Sequence, residues 1–340
     1  MDQPKKLSVC MLAYNTSAFI TRAIESVLMQ ETNFEIELLI SDNNSTDGTK
    51  DIIKQYQEKY PAVVKAVFNS TNIGMSANFV NTFKRCSGEY IAVLDSDDFW
   101  CDPLKLQKQV DFLDANRQYG VCYTDCYIVN DNGDKINWDE MDYYRSQFVS
   151  GDIFFNLLRE AAFIPNLTTC FRKELIKDAL EKEDLWYFED WWMWLYISSS
   201  SKFYYYNAVT SCYRRHDNNI SETRVAGKEL WLNYKKKSYA IYSNVILHFN
   251  KVNKRKLTNY ENQLIFRRIL MLLYRKQKDF TIKLRIFLLV FKYFPGHKFF
   301  MSLLYQKIRR KSMKFFFIPS YSIDYLIDYL LAGDIQLLAL

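Results

Sequence analysis

The strongest constraint on this chain is the alternation of two hydrophobic periods over its first 130 residues. Apolar, strand-like runs occupy 7–13 (LSVCMLA), 35–42 (EIELLISD), 63–69 (VVKAVFN), 90–95 (YIAVLD) and 120–131 (GVCYTDCYIVND). Helical stripes fill the gaps at 17–30, 45–60, 76–86 and 103–116. Strands joined by crossover helices predict βαβ units around a mainly parallel, Rossmann-like sheet, an α/β fold. Ser17 is the expected N-cap of the first helix, Thr46 and Asp47 cap the second, and Pro103 sits in the first turn of the fourth. In such sheets a ligand lies beyond the carboxyl ends of the strands. Those ends read AYN, SDNNSTDGT, NSTNIG and DSDD, all polar.

DSDD is the most demanding of them. Asp95, Asp97 and Asp98 put three carboxylates into four positions after an apolar strand, and like charges repel. A hard divalent cation, Mn²⁺ or Mg²⁺, is the most economical counter-charge. If strand geometry continues, Asp95 and Asp97 point the same way. Asp42 precedes the cap of the second helix, so it is available to accept hydrogen bonds from a base or ribose. A G-x-G-x-x-G fingerprint and a P-loop are both absent, so a nucleotide must be held by side chains and metal. YFEDWW (187–192) places Glu189 and Asp190 among aromatic rings that raise a carboxyl pKa and stack on a sugar ring; acids also suit a helix N-terminus there. The seven cysteines are scattered, and no pair of pairs has zinc spacing. Cys122 and Cys126 therefore read as small core residues in a reducing cytoplasm.

VCMLAYN (9–15), SDNNSTDGT (41–49), NIGMSANF (72–79) and AVLDSDD (92–98) resemble, in order and spacing, the signature of family 2 inverting glycosyltransferases with the GT-A fold. The resemblance covers roughly 7–220. It implies metal-dependent transfer of a sugar from a nucleotide-sugar, a UDP-sugar by default, to a hydroxyl of a glycan or lipid-linked glycan, in bacterial surface polysaccharide or lipopolysaccharide synthesis. It implies that Asp42 binds the base and that Ala13, Tyr14 and Asn15 line the base and ribose pocket, with Asn72 and Ser96 also on the nucleotide-sugar. The family more often has Pro where this chain has Ala13. Asp95 would approach ribose or sugar hydroxyls, and Asp97 would hold Mn²⁺ or Mg²⁺ on the diphosphate. Asp190 would be the general base, with Glu189 beside it. SCYRRHDNNIS (211–221) resembles the following loop of the family, so Arg214 or Arg215 would neutralise the diphosphate and His216 would complete the metal shell or touch phosphate. The stretch 166–175 corresponds to the acceptor side. A polyprenyl-phosphate sugar synthase and a non-catalytic nucleotide-sugar-binding scaffold are the rival readings.

The net charge of +6 conceals an asymmetry. Between Lys235 and Lys314 stand 21 Lys and Arg against two acids, a surplus of 19 positive charges, which leaves the rest of the chain at −13. A boundary near 225 divides a catalytic domain (1–225) from a basic, aromatic-rich helical region (226–340). Its cations interleave with Leu, Ile, Phe and Tyr at helical periods and carry no recognition motif, which argues against nucleic acid. An anionic membrane surface, packing on the catalytic domain and a homodimer contact all remain open. With neither a signal peptide nor a spanning apolar run read from the sequence, the expected location is cytoplasmic, peripheral on the inner face of the membrane.

Overall fold

The computed structural model describes residues 5–154, 156–157, 164–181 and 190–216. The basic region 226–340 and Glu189 therefore lie outside the described residues.

Eight strands form one sheet in the order β3-β2-β1-β4-β7-β6-β8-β5. They are β1 (Leu7–Ala13), β2 (Ile36–Asp42), β3 (Val64–Phe68), β4 (Tyr90–Val93), β5 (Phe99–Trp100), β6 (Tyr119–Val129), β7 (Cys170–Arg172) and β8 (Lys202–Arg214). Helices α1 (Ile20–Leu28), α2 (Thr49–Lys59), α3 (Met75–Arg85) and α4 (Lys105–Ala115) follow the first strands as expected. Further on are α5 (Asp139–Arg145), α6 (Lys177–Glu181) and α7 (Asp190–Ser198). The β1–β2, β2–β3, β1–β4 and β6–β8 pairings are parallel, whereas β4–β7, β6–β7 and β5–β8 are antiparallel, so the sheet is mixed.

The central parallel strands are almost continuously buried because helices cover the sheet. Ile20, Ile24 and Val27 of α1 and Leu106, Val110 and Leu113 of α4 are each no more than 1% exposed. Each such side chain contributes roughly 1.5–3 kcal/mol through burial. Helix α7 is apolar all round and buried all round, as a helix without a polar face must be. Its Trp191 and Trp194 satisfy their indole N–H groups on the carbonyl of Leu157 and on Asn166 Oδ1. Cys122 and Cys126 are buried and unbridged.

The registers align the strand ends. Ala13 pairs with Asp42 and Asp42 with Phe68, while Leu94 donates its N–H to the carbonyl of Cys10. The polar tips of β1, β2 and β4 therefore reach one edge together.

Three local expectations are corrected. Ser17 does not cap α1, whose N-cap position is Phe19; the backbone N–H of Ser17 instead donates to Asp47 Oδ2. Asp47 does serve the start of α2, accepting from the N–H and hydroxyl of Thr49, but the backbone N–H of Thr46 is tied to Asn15 Oδ1. Strand β4 ends at Val93, so Asp95 and Asp97 do not continue a strand. They lie in a turn closed by the N–H of Asp98 on the carbonyl of Asp95.

At Gly88 two strands' worth of backbone crowd together: a Cβ there would stand 2.5 Å from the Ser8 nitrogen and 2.7 Å from the Leu7 carbonyl carbon. Gly88→Ala should lower the unfolding free energy in urea by about 2 kcal/mol, because only backbone could yield.

Candidate active site

Two loops build the floor of the site. The segment after β1 and the segment after β2 are laced by side chain to backbone bonds: Asn15 N–H to Ser45 Oγ, Thr46 N–H to Asn15 Oδ1, and Thr16 N–H to Thr49 Oγ1. Asn15 and Asn44 hold left-handed backbone (φ 53° and 65°), a conformation that Asn tolerates better than most residues. Ala13 is buried beneath, and Tyr14 stands half exposed at the rim.

Asp42 ends β2 inside this floor and is fully buried. Its Oδ2 accepts the Ser45 N–H at 3.1 Å and lies 4.0 Å from Lys50 Nζ. Among the described residues, Asp42 Oδ1 is the one buried side-chain polar atom without a hydrogen-bond partner. A buried acceptor without a partner is costly, so this one asks for a donor from a ligand. Beside it runs an amide ladder. Asn43 Nδ2 donates to Asn72 Oδ1, Asn43 Oδ1 accepts the Ile73 N–H, and Asn69 Nδ2 and Ser41 Oγ both donate to Asn78 Oδ1.

The acidic turn is held from behind by the end of β8. Asp98, 2% exposed, accepts the Arg214 backbone N–H at 2.7 Å. Arg214 Nε donates to the Asp97 carbonyl at 2.8 Å, and its Nη1 reaches the carbonyls of Asn130 and Asp131. Its guanidinium also lies over Phe19 and Phe99, 4.7 and 5.4 Å from the ring centroids. These bonds make Arg214 a clamp on the turn, whereas the resemblance puts it or Arg215 on the diphosphate. Arg215 donates its N–H to the Val129 carbonyl and covers Trp138. Ser96 is fixed by its hydroxyl to Thr16 at 2.9 Å.

The clamp leaves Asp97 facing outward. Its Oδ2 lies 3.1 Å from His216 Nε2, and Phe19 supports the imidazole ring at 4.8 Å. Asp190 opens α7, where its Oδ1 accepts the Trp191 N–H and the helix dipole favours its charge. The chain separates Asp190 from the turn by some 90 residues, yet its charge reaches Asp95. Burial first, then Asp97 and Asp190, push the Asp95 carboxyl from 3.8 up to about 7. Burial, then Asp97 and Asp95, also push Asp98 up, against the pull of Arg214.

Asp97 and His216 fit a divalent ion. Two donors about 3 Å apart can share one octahedral ion whose bonds are about 2.1 Å long. An imidazole beside a carboxylate suits Mn²⁺ better than Mg²⁺, which prefers oxygens. Among the described residues no set of three metal-ligating acids, thiols or imidazoles converges, so water and phosphate would complete the shell. Sequence reasoning gave no part to Thr16, Lys50 or Phe19; their only signal was proximity to the motif segments.

The family model described as "Glycosyl transferase family 2" matches residues 8–180, and the chain belongs to that family. A Bacillus subtilis protein provisionally named as the teichuronic acid biosynthesis glycosyltransferase TuaG is 38% identical over 107 residues, 32% of this chain and 41% of that one. The chain aligns with less than half the length of the curated relatives it matches. Among solved structures, Staphylococcus aureus TarS in complex with UDP-GlcNAc superposes with a TM-score of 0.59 at 16% identity, covering 97% of this chain and 88% of that one. The mannosyltransferase PcManGT of Pyrobaculum calidifontis, in complex with GDP-Man and Mn²⁺, gives 0.51 at 14% identity, covering 98% and 87%. The fold is thus the GT-A fold expected from the sequence, and the chain is a glycosyltransferase by family.

The Asp95 shift has a sign that can be measured. An acid raised by folding keeps its proton in the folded state while the unfolded chain loses it, so stability falls as pH rises from about 4 to about 7 and then levels. In EDTA, the Tm of the wild type should drop by several degrees across that window, and Asp95→Asn should flatten the slope.

Proposed function

We propose that the chain is a metal-dependent inverting glycosyltransferase that passes a sugar from a nucleotide-sugar to a hydroxyl of a glycan or lipid-linked glycan during surface-polysaccharide synthesis. The observation that carries this reading is the gathering of the partnerless Asp42 oxygen, the Asp97–His216 pair and the Asp95–Asp190 charge pair at one sheet edge. Asp42 Oδ1 accepts an N–H of the base, Tyr14 stacks on it, and Asn15 and Asn72 flank the ribose. Asp97 and His216 hold the Mn²⁺ or Mg²⁺, which when bound offsets the negative charge of the leaving nucleoside diphosphate. Asp95 and Ser96 face the sugar and ribose hydroxyls. Asp190 takes the proton of the acceptor hydroxyl as that oxygen attacks the anomeric carbon opposite the diphosphate, so configuration inverts without a covalent enzyme intermediate.

The ligands named for TarS and PcManGT support a nucleotide-sugar donor, with UDP the first nucleotide to try. The name of TuaG supports a surface polymer as the destination. The surplus of positive charge between Lys235 and Lys314 supports peripheral contact with an anionic membrane, where a lipid-linked acceptor would lie. Among the described residues no helix is long and apolar enough to cross a membrane.

Nucleoside diphosphate release should be tested with UDP-, dTDP- and GDP-sugars, in Mn²⁺ and then in EDTA. One donor should be hydrolysed slowly, with metal only, and Asp97→Ala should abolish the release. Asp190→Asn should lower transfer to acceptor by about 10²–10⁴-fold while donor binding by calorimetry persists. Transfer near the wild-type rate would overturn the assignment of the base. The full chain should also float with anionic liposomes at low salt and stay behind at high salt; a soluble chain at low salt would count against membrane contact.

A further inference from the structure

Seven cysteines are free among the described residues, and they are unequal. Six are buried, and Cys101 alone is exposed. It lies just past β5, three residues beyond Asp98, where its N–H donates to the Thr210 carbonyl at 2.9 Å. The antiparallel β5–β8 register pairs Phe99 with Cys212, which sets Cys101 and Cys212 diagonally on one face. Such Cα atoms stand about 7–8 Å apart, so bridging draws Cys101, just past the end of β5, toward β8. Both side chains line an open cleft of about 420 Å³, with Arg22, Lys135, Phe99 and Tyr127 as its other principal walls. Cys212 stands two residues before the clamp residue Arg214. The two sulfurs thus sit where the acidic turn and the Arg214–His216 segment leave the sheet.

From this geometry we propose that Cys101 and Cys212 form a peroxide-sensitive dithiol, with Cys101 as the attacking thiol and Cys212 as the resolving one. The electronic setting agrees. The neighbouring Cys212 thiol, aided by Lys135, holds the Cys101 thiol below the ordinary cysteine value, while the Cys101 thiol and burial push Cys212 up. A thiol that is exposed, acidified and adjacent to a second cysteine has the attributes of a redox-sensing pair.

The chemistry balances with a peroxide as oxidant. The Cys101 thiolate attacks one peroxide oxygen, the O–O bond breaks, and the departing hydroxide takes the thiol proton as water. The Cys212 sulfur then attacks the resulting sulfenic sulfur, the S–S bond forms, and the second hydroxide leaves as water with the Cys212 proton. Two electrons pass from the sulfurs to the peroxide. Cys10 and Cys86 provide an internal control: they too are neighbours, but both are buried, and the Cys86 thiol donates to the Thr82 carbonyl.

The test needs no activity, so its failure is separable from failure of the glycosyl-transfer reading. The reduced full chain is treated with hydrogen peroxide at neutral pH, unfolded, alkylated and mapped by mass spectrometry. Two of the seven thiols should vanish, a peptide pair joined through Cys101 and Cys212 should appear lighter by two hydrogens, and dithiothreitol should reverse both. Cys101→Ser should leave Cys212 fully alkylatable. Cys212→Ser should strand Cys101 as a sulfenic acid that dimedone traps. A wild-type chain in which Cys101 proceeds to the sulfinic acid while Cys212 stays alkylatable would overturn the proposal. So would a disulfide found at Cys10–Cys86 in its place.

Discussion

The site depends on packing like charges together without losing the fold. Asp95, Asp97 and Asp98 occupy one turn, and Asp190 adds its field from another helix. Repulsion of this size would open an unsupported loop. It is contained because Asp98 is turned inward onto the Arg214 N–H, and the Arg214 guanidinium grips the carbonyls of Asp97, Asn130 and Asp131. What remains uncompensated falls on Asp95, which burial drives toward its protonated form, and on Asp97, where a cation and its phosphates would relieve it.

That arrangement makes β8 as much a part of the site as β4. The last residue of β8 is the clamp, and His216 follows two residues later against Asp97. Phe19, from the loop after β1, sits under both the Arg214 guanidinium and the His216 ring. Three segments distant in sequence thereby fix one carboxylate, and movement in any of them is felt at Asp97.

Much of the architecture was legible in the sequence. Strands β1 to β4 and helices α1 to α4 follow from period and burial alone, because a helix and a strand must each hide an apolar face at a different spacing. The antiparallel entries of β5 and β7 were not legible: two and three residues carry no period. The cap assigned to Ser17 failed because its backbone found Asp47 across the loop, a partner that local pattern cannot reveal. That Arg214 also grips the acidic turn was not legible, because charge type is visible in a sequence while hydrogen-bond partners are not.

By itself the sequence determined the fold class, the edge of the sheet at which the candidate site lies and the residue types gathered there, since motif order and hydrophobic period are local properties of the chain. Only the tertiary structure decided how those residues divide their labour. It left one oxygen of Asp42 without a partner and turned Asp98 inward and Asp97 outward. It also brought Asp190 within the field of Asp95 and set Cys101 diagonally across from Cys212. The reason is physical: burial, pairing and repulsion depend on distance through space, and folding sets those distances among groups that the chain keeps far apart.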